Sequence, residues 1–531
     1  MLKRAFSSLV GFSALLTLTV TALADVQMPN IFGDNMVLQR GQTVPVWGKA
    51  DPGEKITVVL TSMDAPSAKG KKPERRAGKA AAGKDGRWMV KLGKIPAGGP
   101  WEMTVTGKNT LRFANVLAGE VWVCSGQSNM NFQMAGLPNT KDEVSAANFP
   151  DIRYFSVSLI SSETPLFDFP GATPKWVECS PATAGKFSAV AYYFGKEIRR
   201  EIGVPVGLIH SSWGGSIAEA WTTMKTLQSD PKLRPIMENL DRLKAEHPKA
   251  KADFQRRSAE REKALKEGRP VLYLLPPRAP GEKDWPSGLY NAMINPMIPY
   301  GIRGAIWYQG ESNSVRAEQY RALFPAMIRD WRDAWGQGNF PFIYVQLANW
   351  KTDTIPVEGT WGSWPELREA QLMTLKVKNT AMAVAVDVGD STNIHPADKQ
   401  SVGRRLALGA LNAAYGRKVE WSGPLYKSLR RDGDRIRLRF DHAAGGLVAK
   451  GGALTGFTLA GEDRAFYPAS AYIEGNEVVV RSERVSAPVA VRYGWTDNPY
   501  CDLYNSEHLP ASPFRTDSWP GVTDGIYKPA Q

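Results

Sequence analysis

The hydrophobic positions change rhythm twice along the chain. From Val26 to about Ala118, runs such as "TVPVWGKADPGEKITVVL" and "WEMTVTG" alternate apolar and polar residues between turn residues. A period of two over short segments predicts half-buried strands, here a small β-sandwich. Between Gly119 and about Gly416 the apolar runs become continuous: "EVWVCSG", "VPVGLIHSS", "GAIWYQG", "FPFIYVQLA" and "AMAVAVDV". Helix-period segments lie between them, near Ser188–Glu201, near Arg316–Trp335, from Glu366, and over Pro396–Tyr415. Strands too apolar for one wet face need cover on both, which predicts an α/β unit with a parallel sheet between helices. From Glu420 onward, "DRIRLRFDHAAGGLV" and "NEVVVRSERVSAPVAVRYGW" return to period two and predict a second β domain.

Two segments stand outside this rhythm. Met224 to about Asp284 is dense in mixed charge at helical spacing, which predicts a solvent-exposed helical insertion over about 224–284, with a lid over the site as its functional alternative. Residues 1–24 place Lys3 and Arg4 before an apolar stretch ending in Ala22-Leu23-Ala24, the pattern of a secretory signal peptide. The expected mature chain starts at Asp25 and is exported, periplasmic or secreted. The alternative is an uncleaved anchor, for which the apolar run is short; no later stretch is long and apolar enough to span a bilayer, so no membrane association is expected after cleavage. The predicted organisation is a signal peptide at 1–24, a β domain at 25–118, the α/β domain at 119–419 and a β domain at 420–531.

Composition narrows the function classes. The formal charge is +13, partly concentrated in "KGKKPERRAGKAAAGKDGR" (Lys69–Arg87). That tract lacks interleaved aromatics, so it reads as a solvated loop, and no nucleic-acid partner is expected. Only three cysteines are present, Cys124, Cys179 and Cys501, allowing at most one internal bridge. No two have zinc-ligand spacing, and no metal is expected.

In an open α/β sheet, ligands bind beyond the carboxyl ends of the strands. Four such places carry polar or glycine clusters. "CSGQSNM" exposes Ser128, a poor nucleophile unless a base takes its proton and donors receive the oxyanion. "HSSWGGSIAEAW" offers Gly214 and Gly215, whose N–H groups can approach a substrate oxygen, or simply turn the chain into a helix. In "WYQGESN", Gln309 and Asn313 have amide donors, while Glu311 is suited to hold a neighbouring loop. In "DVGDSTNIHPADKQSVGRRL", His395 precedes a helix whose first turn is primed by Pro396, where a base for Ser128 would come from.

A nucleophile, a glycine donor, an amide donor and a histidine base thus follow in order along one sheet edge. In this the chain resembles the sialate O-acetylesterase-type members of the SGNH/GDSL hydrolases. The matching stretches are "VWVCSGQSNM", "SSWGGSIAEAW", "WYQGESN", "YVQLANW", "WPELREAQ", "DVGDSTNIHPADKQSVGRRLA" and "LYNSEHLPASPFRTD". The resemblance implies a flavodoxin-like SGNH hydrolase domain flanked by β-sandwich-like domains, hydrolysing acetyl esters of sugar hydroxyls without metal or organic cofactor. It implies Ser128 as nucleophile, His395 as base, and an oxyanion hole from the N–H groups of Ser128 and Gly215. For a third donor it implies Gln309 first and Asn313 second.

The triad acid departs from the pattern. Many SGNH hydrolases carry Asp three residues before the His, where this chain has Thr392, followed by Asn393. Asp390 is the favoured substitute, Asp387 lies at the strand end, and a backbone carbonyl orienting the His would leave a Ser-His dyad. Trp213 and Trp221 flank the glycine turn, and Trp350, Trp361 and Trp364 follow a strand, so indole platforms for pyranose rings are expected among them. The substrate is expected to be an acetylated carbohydrate, either O-acetyl sialic acid or acetylated hemicellulose such as xyloglucan or xylan. A sialate would call for a cation, with Arg316 or Arg368 in range along the chain, and His210 would line the pocket or serve the core. The competing class is a non-catalytic carbohydrate-binding protein, against which the intact Ser128 and His395 speak. A serine peptidase would need the Gly-x-Ser-x-Gly elbow, which is missing here.

Overall fold

One strand ties two regions together. The computed structural model describes residues 25–63, 73–170, 174–271, 277, 279, 281–351 and 362–527, and within them β1 runs unbroken over Thr110–Gly126. Up to Gly119 it belongs to the N-terminal region, antiparallel to Gly98–Thr106 and parallel to Val37–Gln39. From Glu120 it becomes a central strand of the α/β sheet, and from Val116 on every residue is buried. The predicted leader at 1–24 lies outside the described residues.

The N-terminal region also contains Lys55–Ser62 between Gly98–Thr106 and Arg75–Ala81, and the pair Val44–Lys49 with Arg87–Leu92. The basic tract is therefore not a solvated loop throughout. Among the described residues Arg75–Ala81 is an edge strand that pairs only with Lys55–Ser62, and it alternates exposed with half-buried residues. Its small residues permit pairing, and Arg75 and Lys79 charge the open edge, which discourages further strands from adding.

The central sheet adds β2 (Phe149–Ser156), β3 (Trp176–Cys179), β4 (Val206–Ser212), β5 (Gly304–Tyr308), β6 (Phe342–Gln346) and β7 (Thr380–Val384). The order is β7-β6-β5-β1-β4-β2-β3, parallel throughout except where β3 pairs antiparallel with β2 at the edge. The described helices include α1 (Ser128–Asn131), α2 (Ala189–Ile202), α3 (Arg234–Lys266), α4 (Ala317–Trp335), α5 (Ser363–Met373) and α6 (Lys399–Tyr415).

Strand β6 shows why both faces are apolar. Phe342 and Tyr344 meet Phe324 of α4, with ring centroids 6.1 and 5.0 Å apart. The intervening Ile343 points the other way, where a Cβ on Gly409 of α6 would lie 2.9 Å from it. On that side α6 also crosses α2 so closely that a Cβ on Gly403 would lie 2.6 Å from Tyr193 Cβ. Helix α6 begins at Lys399 rather than at Pro396, because the Asp398 carboxylate accepts from Ser401 N–H at 2.9 Å and sets the cap.

Helix α3 is 33 residues long, about 50 Å at 1.5 Å per residue, with only Ile236, Leu240 and Ala264 buried. Among the described residues no helix is long and apolar enough to cross a membrane. The C-terminal region holds two four-stranded antiparallel sheets, one including Leu425–Asp432 and Arg435–Asp441, the other including Phe457–Ala460 and Ala490–Tyr493. All three cysteines are free and buried, and burial pushes the Cys179 and Cys501 thiols up to about 12.

At the start of the parallel part of β1, the fully buried Glu120 gathers Arg40 from the N-terminal region, Arg303 before β5, and the hydroxyl of Tyr415 at the end of α6. Burial opposes its charge, but Arg303 and Arg40 outweigh that and hold its pKa below the usual carboxylate range. Its contribution is therefore complete above the ordinary carboxylate pKa and is lost as pH falls through the depressed value. Breaking a fully buried pair costs about 3–5 kcal/mol. Both guanidiniums here are partly in solvent, with side chains 30% and 31% exposed, so we expect Glu120→Ala to cost about 2–3 kcal/mol in urea unfolding at pH 7. Six residues of strand, about 20 Å, separate it from the other end of β1, so kcat of the folded fraction should be unchanged.

Candidate active site

Gly126, the last residue of β1, pairs with Ser212 of β4 on one side and Tyr308 of β5 on the other. The turns that follow these three strands therefore stand side by side. Gly126 has φ +136°, and a Cβ there would lie 2.1 Å from the Tyr308 carbonyl oxygen, so no other residue fits between the neighbouring strands. The Gln127 N–H donates to Tyr308 O at 2.9 Å, and its side-chain Oε1 accepts from Gly310 and Ser312 N–H. Ser128 emerges half-buried as the first residue of α1.

The glycine turn after β4 lies directly against it: a Cβ on Gly214 would sit 3.4 Å from Ser128 Cβ. Gly215 follows with φ +73°. Among the described residues, the N–H groups of Ser128 and Gly215 donate to no acceptor, and the Ser128 hydroxyl has no hydrogen-bond partner. Such unengaged donors beside a hydroxyl are what a developing oxyanion requires.

His395 arrives from farther away. Strand β7 is separated from β1 by β6 and β5, so the loop after it must cross their ends. It does so through Asn129, the residue after Ser128, whose Nδ2 donates to Ile394 O at 3.0 Å and to Glu311 Oε1 at 2.7 Å. Lys399 Nζ donates to Asn129 Oδ1 at 2.5 Å. The half-buried His395 ring lies 5.9 Å from the Phe132 ring and makes no hydrogen bond among the described residues. Burial lowers its pKa, and the nearby Lys399 charge lowers it further.

Sequence reasoning gave Glu311 the holding role it has here, but passed over Asn129 and Lys399. The available signal was a lysine in the first turn of a helix, where the macrodipole disfavours a cation.

Several expected site residues are engaged elsewhere. The exposed Asp390 carboxylate accepts from the N–H and hydroxyl of Thr392, both at 2.8 Å, closing its own turn, with no bond to His395. Those bonds hold its pKa low. Asp387 pairs with Arg405 at 2.6 Å and accepts from Tyr504 OH at 3.1 Å.

Gln309 is fully buried and donates both amide hydrogens, to Ser216 O at 3.2 Å and Asn313 Oδ1 at 2.6 Å. Asn313 donates to Glu219 and accepts from Ala218 N–H. These amides thus fix the backbone just beyond Gly215, and both Gln309 donors are taken up there. Gly215 keeps its place in the turn.

Arg316 is buried against Glu219 at 2.7 Å. Arg368 is fully buried, donates to the carbonyls of Leu347, Ala348, Thr496 and Asp497, and has its pKa pulled down to about 10 by burial. Both are closed to a substrate carboxylate. The C-terminal region docks on the sheet through Arg368 and through Ser512, whose hydroxyl accepts from Gln346 Nε2 at 2.8 Å.

Trp221 and Trp364 are core residues, whereas Trp213 and Trp350 are half-buried; Trp361 lies outside the described residues. His210 is buried in β4, its Nε2 2.7 Å from Ser212 Oγ, with burial lowering its pKa to about 4. A cation that does border the glycine turn is Lys283: its Nζ donates to Gly214 O at 3.0 Å and lies 2.8 Å from where a Gly215 Cβ would be. Among the described residues no group of three or more His, Cys, Asp or Glu is placed to hold a metal.

The family profile described as carbohydrate esterase, sialic acid-specific acetylesterase matches residues 279–412, a span that includes Glu311, His395 and Lys399. Mouse sialate O-acetylesterase is 31% identical over 522 residues, covering 90% of this chain and 92% of that protein. The chain belongs to the sialate O-acetylesterase family. The human sialate O-acetylesterase is 30% identical over 542 residues, covering 93% of this chain and 94% of its own. The crystal structure of a carbohydrate acetylesterase from Xanthomonas citri superposes with a TM-score of 0.77 at 37% identity, covering 93% of this chain and all of that one. As a member of this family the protein is a carboxylic ester hydrolase, of mixed α/β fold with a central, mostly parallel sheet and further β-rich regions.

With its carboxylate bound to Thr392, Asp390 has no hold on the imidazole. Asp390→Asn should leave kcat/KM for an aryl acetate within about threefold of wild type, under about 0.7 kcal/mol. A loss of a hundredfold or more would show that Asp390 reaches His395 during turnover.

Proposed function

We propose that this family member is an SGNH-type serine esterase of flavodoxin-like catalytic architecture that removes acetyl groups from sugar hydroxyls through a Ser128 acetyl-enzyme, with His395 as general base. The observation that carries this reading is the Asn129 Nδ2 to Ile394 O bond of 3.0 Å, since it joins the residue after one reacting group to the residue before the other. Ser128 Oγ attacks the acetyl carbonyl carbon as His395 takes its proton. The tetrahedral oxyanion is received by the N–H groups of Ser128 and Gly215. Collapse breaks the bond to the sugar oxygen, which leaves with the proton from His395. Water, deprotonated by His395, then attacks the acetyl carbon, and the bond to Ser128 Oγ breaks as Oγ takes the proton back from His395, releasing acetate. The bond between hydroxyl and imidazole is one that serine hydrolases commonly tighten only with substrate in place. With Asp390 and Asp387 engaged elsewhere, the pair acts as a Ser-His dyad.

For the substrate we favour an O-acetylated sugar acid of the sialate type. Lys283 supports this: it reaches over the glycine turn, and beyond its bond to Gly214 O its ammonium donates to no other described residue. A neutral hemicellulose such as acetylated xyloglucan or xylan would leave that cation unused, while the half-buried Trp213 and Trp350 would serve either sugar.

Two outcomes are expected. Ser128→Ala and His395→Ala should each lower kcat for acetate release from O-acetyl sialic acid by at least about a thousandfold. Full activity in either variant would remove that residue from the mechanism. Lys283→Met should raise KM for O-acetyl sialic acid about tenfold, equivalent to about 1.4 kcal/mol, and leave KM for neutral acetylated xylan unchanged. Equal effects on both substrates would end the anionic assignment.

A further inference from the structure

Beneath the Ser128 and His395 turns lies a buried cation that the chemistry above does not use. Lys399 is fully buried and is the first residue of α6. Both circumstances disfavour its charge, since burial strips its water and the helix start carries partial positive charge. Burial pulls its pKa down to about 7, opposed by Glu311 and Asp398. Among the described residues no carboxylate comes within ion-pair distance. The ammonium instead lies 5.6 Å over the Phe132 ring and 5.5 Å over the Tyr308 ring, and donates to Asn129 Oδ1.

Asn129 converts that contact into a clamp. Its oxygen faces the ammonium, so its NH₂ must face the other way, and both hydrogens there find acceptors in Glu311 and the Ile394 carbonyl. One amide thus joins the nucleophile's turn, the turn after β5, the loop carrying His395 and the start of α6. Glu311 is itself costly to bury: its pKa is raised by burial, and its Oε2 has no hydrogen-bond partner. Two poorly compensated buried charges flanking one amide, next to the reacting groups, are a demanding arrangement for packing alone.

We propose that Lys399, acting through Asn129, is a positioning residue that clamps the Ser128 turn to the His395 loop, and that its charge is felt by the imidazole. This rests on the reading of Ser128 and His395 as the reacting pair. The charged groups around that pair are Lys399 and Asp398 of the following helix, Glu311 of the β5 turn, the exposed Asp390 of the same loop, and Lys283 beyond the glycine turn. Of these, Lys399 is the one that bears on His395, and it disfavours the imidazolium. A base must be neutral to accept a proton, so Lys399 extends activity toward lower pH. At the acidic pH where His395 titrates, Lys399 is an ammonium.

The test compares Lys399→Met and Lys399→Arg in the full chain, using an aryl acetate. Lys399→Met fills the aromatic box without charge. It should lower kcat about tenfold or more with KM within about twofold, and move the acid limb of kcat/KM up by about half a pH unit or more. The His395 ring proton, followed by NMR, should titrate with the same upward shift. Lys399→Arg should return the acid limb to its wild-type position. Should Lys399→Met fail to fold, Lys399→Gln, which keeps a donor for Asn129 but no charge, carries the same expected shift. A folded, uncharged variant with wild-type kcat and acid limb would overturn the proposal, as would a lowered kcat with an unmoved acid limb, which would reduce Lys399 to packing. If instead Ser128→Ala or His395→Ala retained activity, the underlying assignment of the reacting pair would fall, a result read independently of Lys399.

Discussion

The backbone of a single strand fixes how the N-terminal region meets the α/β sheet. Because β1 is hydrogen-bonded first into the N-terminal β region and then into the α/β sheet, the two cannot shift past one another without breaking its ladders. Glu120, where the strand passes from one region to the other, draws arginines from both sides of that junction. Gly126 ends it under a contact so close that the chain has to turn at once. The position of Ser128 is thus set by main-chain pairing over many residues, which is stiffer than any side-chain contact.

Around that fixed point two buried polar networks divide the work. The amides of Gln309 and Asn313, with Glu219 and Arg316, hold the backbone beyond the glycine turn. Asn129, with Glu311 and Lys399, holds the loop that brings His395 across two strands. In the first network both Gln309 amide hydrogens and the Arg316–Glu219 pair are matched, leaving only the Arg316 Nε without an acceptor among the described residues, so the network acts as scaffold. The second keeps an unmatched carboxylate oxygen and a dehydrated ammonium close to Ser128 and His395, and such residual fields are what perturb a neighbouring titration.

Much of this was legible in the chain. Continuous apolar runs announced a sheet covered on both faces, and the end of each run marked a site turn, because a parallel sheet sends its functional loops to one edge. The turns that carry Ser128, Gly215 and His395 could be placed along that edge for that reason. Side-chain orientation was not legible. Gln309 and Asn313 carry the right groups at the right edge, yet whether an amide faces a cavity or a neighbouring turn depends on partners such as Ser216, Ala218 and Glu219, about a hundred residues away in sequence. Asp390 misled in the opposite sense: nearness along the chain suggested the imidazole, while a turn residue two positions on was nearer in space. The basic tract hid a strand because its half-buried positions are Arg76, Gly78 and Ala80 rather than large apolar residues. Lys283 escaped notice because nothing in a charged insertion distinguishes the one lysine that folds back over the glycine turn.

The thiols carry a quieter consequence. Cys124, Cys179 and Cys501 lie inside packed regions with burial holding them in the protonated, unreactive form, so no covalent crosslink contributes to the fold. The folded protein therefore holds no bond that a reductant could cleave, and its stability is unchanged when a reductant is added or withdrawn.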